Sequence, residues 1–137
     1  MSLCVLTLDD YLMGREARYP ITSEQRANAE DMVRKVNLLL TEAQICTAVS
    51  SGYRPAAINA VTPGAAKRSK HMDCNACDLA DASGSLDAWC KAHLDVLAEI
   101  GLWLEHPSAT RNPARFGHGW CHVQRVPPKS GNRVFYP

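Results

Sequence analysis

Two of the five histidines in this 137-residue chain have neighbours that suggest chemistry. His71 opens the run His71-Met72-Asp73-Cys74-Asn75-Ala76-Cys77-Asp78, which places a carboxylate six residues beyond an imidazole. Across a turn or a strand pair, that spacing lets both groups meet one cation. His122 follows Trp120-Cys121 in a segment with strand-like alternation and could supply a third ligand. Two imidazoles, one carboxylate and an open fourth position for water make the ligand set of a catalytic zinc, not of a closed structural one. Zinc would lower the pKa of that water toward about 7 and polarise a carbonyl. The same spacing also fits a surface histidine and a solvated aspartate, so the pattern depends on its context.

Other reactive side chains have plainer readings. Cys74 and Cys77 form a C-x-x-C, the spacing of zinc ribbons and redox motifs. A four-ligand site would need a second pair, and Cys90 and Cys121 stand alone. Six cysteines raise the question of a disulfide framework, but with no secretory signal in view the expectation is free thiols. Cys46, Cys90 and Cys121 lie in apolar patterns and read as buried free cysteines. His93 reads as a helix-boundary residue, His106 as a loop residue beside Pro107, and Asp81 as solvated. Trp103 and Trp120 read as core more than as a sugar-stacking platform.

The elements that must position these residues can be outlined. Thr22 or Ser23 caps a helix supported by Gln25 or Glu24, with Ala29, Met32, Val33, Val36, Leu39 and Leu40 on its apolar face, running to about Glu42. Ile45 to Ser51 reads as a strand entering a turn at Gly52, and Ala56 to Ser69 as a loop. Met72 to Asp81 reads as extended. A second helix starts at Ser85, shows Leu86, Trp89, Cys90, Leu94, Leu97 and Ile100 on one face, and stops at Gly101. Leu102 to Glu105 and Trp120 to Gln124 read as strands with a loop, Pro107 to Gly119, between them; Pro127 to Pro137 reads as extended tail. This order predicts a single α+β domain over residues 1–137, with helices on one side of a small, mainly antiparallel sheet.

Composition narrows the classes of partner. The net charge of +1 and the scatter of Lys and Arg among Asp and Glu argue against nucleic acid. No apolar run approaches the roughly 20 residues that span a bilayer, so no membrane partner is expected. The start, Met1-Ser2-Leu3-Cys4, lacks the basic and apolar regions of a signal peptide.

Read in order, Ser51-Gly52-Tyr53-Arg54-Pro55, then Ser69-x-His71-x6-Asp78 with Ala76 two before the aspartate, then Trp120-Cys121-His122, the chain resembles the zinc D-alanyl-D-alanine carboxypeptidases and the related phage L-alanyl-D-glutamate endopeptidases. These share a fold with the hedgehog signalling domain. The resemblance runs from about Thr22 to Val123. The opening Thr7 to Arg15 and the ending Pro127 to Phe135 are similar to segments of small phage and prophage proteins of this group.

The resemblance implies roles. His71, Asp78 and His122 would bind Zn2+, Arg54 would hold a substrate carboxylate or the developing oxyanion, and Ser69 would touch the substrate or support the site. The substrate would be a peptidoglycan stem peptide and the protein a monomer. It would be made in a host cytoplasm and would reach the wall after release or as part of a virion. The chain departs from the pattern at Cys74, where many relatives have glycine, and at Gly119, where many carry an acid three residues before the last ligand. Glu105 and His118 are the two substitutes for a general base. Were neither to reach, the protein would be a non-catalytic virion or wall-binding component that keeps the fold. A third reading, a cysteine-zinc interaction module, would rest on Cys74 and Cys77.

Overall fold

A computed structural model describes residues 4–111 and 119–137 of the chain. Its helices are α1 (Leu8–Leu12), α2 (Ser23–Ala43), α3 (Ala56–Val61), α4 (Ser85–Ala92), α5 (Leu94–Ile100) and α6 (Pro107–Thr110). The strands are β1 (Val49–Ser51), β2 (Ala76–Ala80), β3 (Trp103–Glu105), β4 (Trp120–Gln124) and β5 (Val134–Phe135). They form one sheet in the order β1-β2-β4-β3-β5, antiparallel except for the β3–β5 pair. The α+β class with a mainly antiparallel sheet is therefore observed. Among the described residues, no helix is long and apolar enough to cross a membrane.

The sheet separates packing from chemistry by strand alternation. Cys77, Leu79, Leu104, Cys121 and Val123 belong to the core, together with Met32, Val36 and Leu39 of α2, Leu86 and Cys90 of α4 and Leu97 of α5. Their neighbours in sequence, Asp78, Glu105, His122 and Gln124, therefore face the other way. Helix α2 forms because its apolar residues recur at helical spacing and its start is fully capped. The Thr22 hydroxyl accepts from the Gln25 amide at 3.0 Å, and the Gln25 side chain accepts from the Thr22 amide at 2.8 Å. The equivalent box of Thr7 and Asp10 starts α1, which buries Tyr11 and Leu12. The Tyr11 hydroxyl then donates to the Ala76 carbonyl at 2.7 Å, joining α1 to β2.

Several expectations need correction. Ala56 to Ser69 is not all loop: Ala56–Val61 is helical, its start set by Pro55 in extended conformation. The second helix is two helices, broken at His93 (φ −130°, ψ 51°), whose Nδ1 bonds the Trp89 carbonyl at 2.7 Å and whose own carbonyl starts α5. The first strand begins at Val49, not Ile45, and Lys70–Asp73 is a 3₁₀ turn that precedes β2. Pro107–Thr110 is a short helix with proline in its first turn. Asp81 is buried, not solvated: its carboxylate accepts from the amides of Leu86 and Asp87 at 3.0 and 2.9 Å and so caps α4. Trp103 and Trp120 are half-buried, and Trp103 lies under the Arg133 guanidinium, 4.4 Å from its ring centroid.

The cysteines also differ from expectation. Cys4 and Cys46 form a disulfide, with Cα atoms 5.4 Å apart, so Cys46 is not a free thiol. Closing a loop of 42 residues stabilises the fold by roughly 4 kcal/mol, by constraining the unfolded chain. Cys74, Cys77, Cys90 and Cys121 are free and buried. Burial, with the nearby Asp73 charge, pushes the Cys74 thiol up to about 12, and burial and Asp78 push Cys77 well above its usual range. Both are therefore held as neutral thiols within the core.

Arg125, just past β4, fastens the sheet to α2. Its Nε donates to Asp31 at 2.8 Å and its Nη1 to Asn28 and Asn75 at 3.1 and 2.8 Å. Burial alone would raise the Asp31 pKa, but hydrogen bonds from Arg125, Arg34 and Lys35 hold it well below the usual carboxylate range. A depressed carboxylate stabilises the fold above its unfolded pKa, about 4, and that contribution fades as pH falls toward the folded value. Asp31→Asn is expected to lower stability by about 1 kcal/mol near neutral pH, and the gap to wild type should narrow at about pH 2. Urea unfolding at both pH values checks this; a gap that widens in acid would refute it.

Candidate metal centre

Asp78 lies at the middle of β2 and pairs in register with His122 on β4. His71 reaches the same point from the 3₁₀ turn before β2, which Ser69 caps: its hydroxyl accepts from the His71 amide at 3.2 Å. The Asp78 carboxylate divides its two oxygens. Oδ1 is 2.8 Å from His122 Nδ1, and Oδ2 is 3.2 Å from His71 Nε2. One ligand atom from each residue lies within 4.8 Å of the other two, and the imidazoles meet edge to face at 5.3 Å. All three side chains are largely buried.

Burying a carboxylate is unfavourable unless positive charge compensates it. Burial would raise the Asp78 pKa; instead the charges and hydrogen bonds of His71 and His122 hold it below the usual range. Reciprocally, burial would lower His122, but the Asp78 hydrogen bond and charge, with a contribution from Glu105, lift it to about 9. The field that holds a proton on His122 is the field that would hold a divalent cation among the same three ligands. The donor set fits zinc, with two nitrogens and one oxygen.

Gly52 explains how His71 is aimed. Its carbonyl accepts from His71 Nδ1 at 2.9 Å, which turns Nε2 toward Asp78. Gly52 has no room for a side chain: a Cβ would overlap the Tyr11 carbonyl oxygen and lie 2.9 Å from its carbon.

Arg54 is buried, with Nη2 3.7 Å from Asp78 Oδ2. Ser51 accepts from Nη2 at 3.0 Å and Asn59 from Nη1 at 3.3 Å, and Asn59 in turn donates to the Ala66 carbonyl at 2.9 Å. The loop that carries Ser69 is thus tied to the arginine through Asn59, a residue the sequence reading did not single out. Glu105 ends β3. The pair Leu104–Val123 places it beside His122 at the next step of the antiparallel ladder. Burial raises its pKa, the charge of His122 lowers it, and that of Asp78 raises it, so its carboxyl lies within the electrostatic reach of the centre. His118 lies outside the described residues. The alternative cysteine site gains no support from geometry, because β2 turns Cys77 into the core, away from Asp78.

The Gly119 position has a specific cause. The Arg111 guanidinium fills its side-chain space: a Cβ there would overlap Nη1 and lie 2.7 Å from Cζ. Arg111 is held in place by Asp81 at 2.6 Å and Asp87 at 3.1 Å. Nothing in the local sequence announces this triad, since its members lie up to thirty residues apart.

Residues 13–99, more than half of the chain, match the family model for Peptidase M15. The chain belongs to the peptidase M15 family. No curated protein and no solved structure matches it. Peptidase M15 proteins are metallopeptidases, typically zinc-dependent, and the His71–Asp78–His122 group is a possible site for that metal. The matched stretch contains Arg54, Ser69, His71 and Asp78 and ends before Glu105 and His122, which the sheet brings toward Asp78.

Proposed function

We propose that this M15 protein is a zinc-dependent peptidase that hydrolyses peptide bonds in the stem peptides of bacterial peptidoglycan. The observation that carries the proposal is the convergence of His71, Asp78 and His122 on one buried point, with Arg54 and Glu105 beside it. Bound zinc would supply a Lewis acid for the scissile carbonyl and would acidify the attacking water. Arg54, its fork held by Ser51 and Asn59, steadies a substrate carboxylate or the developing oxyanion. The Glu105 carboxylate takes a proton from the attacking water and passes it to the nitrogen of the departing amine. Ser69 supports the site through the His71 amide.

An internal bond, such as one within the stem peptide, is favoured over a terminal D-Ala, and the biology that fits is a phage-encoded monomer acting on the wall after release or from a virion. The Cys4–Cys46 disulfide supports action outside a reducing cytoplasm. A second reading, a wall-binding or virion protein that has kept the fold without activity, draws support from Gly119, where Arg111 occupies the space an acidic side chain would need.

Mass spectrometry of purified peptidoglycan incubated with zinc-loaded protein separates the readings. The wild type should release new stem-peptide fragments and identify the bond. Glu105→Gln should slow their release by about 10²- to 10⁴-fold while leaving one zinc per chain. Fragments produced at the wild-type rate by Glu105→Gln would remove Glu105 as the base. No fragments from a zinc-loaded wild type would leave the non-catalytic reading.

A further inference from the structure

Gln124 is almost fully buried on β4, two residues beyond His122 and on the same face of the sheet. Its amide nitrogen donates to the Val126 carbonyl at 2.9 Å. A carbonyl only accepts, so this bond fixes which way the amide lies and turns Oε1 toward His122 Nε2, at 3.1 Å. Oε1 also only accepts, so Nε2 must carry a hydrogen. Asp78 Oδ1 faces the other nitrogen, Nδ1, at 2.8 Å, so both nitrogens of His122 carry hydrogens here, and the proton that a cation beside Asp78 would displace is the one on Nδ1.

His71 is arranged in the opposite sense. Its Nδ1 donates to the Gly52 carbonyl, and its Nε2 faces Asp78. The two imidazoles therefore approach the centre through different nitrogens, each selected by a partner on its far side. A backbone carbonyl selects one; a side chain, and hence a replaceable group, selects the other.

We propose that Gln124 is a positioning residue that sets the His122 tautomer, so that the metal is bound through Nδ1, and that it strengthens this nitrogen as a donor. The inference rests on the zinc-centre reading above. Outer-shell partners of this kind typically contribute 10- to 100-fold in metal affinity. Leucine nearly matches glutamine in shape but accepts no hydrogen bond.

Zinc affinity is measured by competition with a chromophoric chelator for the wild type, Gln124→Leu and His71→Ala. Gln124→Leu should bind zinc about 10- to 100-fold more weakly, and His71→Ala should lose tight binding altogether. Unchanged affinity in Gln124→Leu alone overturns the inference and leaves the centre standing; unchanged affinity in both variants overturns the centre and the inference with it. Nitrogen NMR of the zinc-loaded wild type gives a reading that does not depend on how any variant folds. His122 should show a metal-bound Nδ1 and a protonated Nε2; coordination through Nε2 overturns the proposal.

Discussion

Asp78→Asn is expected to abolish tight zinc binding and reduce peptidase activity to background. The substitution keeps the shape of the side chain and removes the charge on which the centre depends. In the wild type, each carboxylate oxygen faces a different histidine, and Arg54 lies beside one of them. An amide offers one acceptor and sets an N–H against the lone pair of one imidazole. The loss should therefore exceed the roughly 10- to 100-fold expected of an outer-shell change. Melting curves with and without zinc give a direct reading. A ligand that binds only the folded state at about 1,000 times its Kd stabilises by about 4 kcal/mol. The wild type should show a shift of that order and Asp78→Asn none. A variant that still gains stability from zinc would place the metal elsewhere.

The second large effect falls on a residue with no reactive atom. Gly52→Ala should destabilise the fold by about 3 kcal/mol or more. The added methyl would overlap the Tyr11 carbonyl oxygen and lie 2.9 Å from both the carbonyl carbon and Cδ1 of that residue. The obstacle is mostly backbone, so no side-chain rotation relieves it. Moving the two segments apart would break the 3.0 Å bond from the Tyr53 amide to the same carbonyl and displace the carbonyl that orients His71. Zinc affinity should fall together with stability. Denaturant unfolding checks the first effect and chelator competition the second; a loss below about 1 kcal/mol would show that the contact relaxes easily.

The parts of this molecule that were legible in sequence were those with local signatures. Helix α2 carries its capping box and a long apolar stripe, and Gly101 ends α5 in the left-handed conformation that glycine favours. Strand β4 shows its alternation, and the chain order His71, Asp78, His122 marks residues that the structure brings together. What was missed is short or non-local. Helices α1 and α3 are too short to display a period. The break at His93 involves neither glycine nor proline, because a histidine side chain closes one helix and its carbonyl opens the next. The Cys4–Cys46 bond depends on three-dimensional proximity, which cysteine count and compartment do not reveal. Asn59 and Gln124 act through partners that only the folded chain brings within reach.

The arginine seated over Gly119 limits the mutational routes open to this protein. An acidic side chain at 119 can enter only if the Arg111 guanidinium, which fills that space between Asp81 and Asp87, shifts aside. Removing Arg111 first leaves two buried carboxylates without their shared cation, a step that is itself strongly destabilising. An acid at 119 would therefore compete with Asp81 and Asp87 for the same guanidinium. The packing thus couples positions 81, 87, 111 and 119, so that a change at one is felt at the other three.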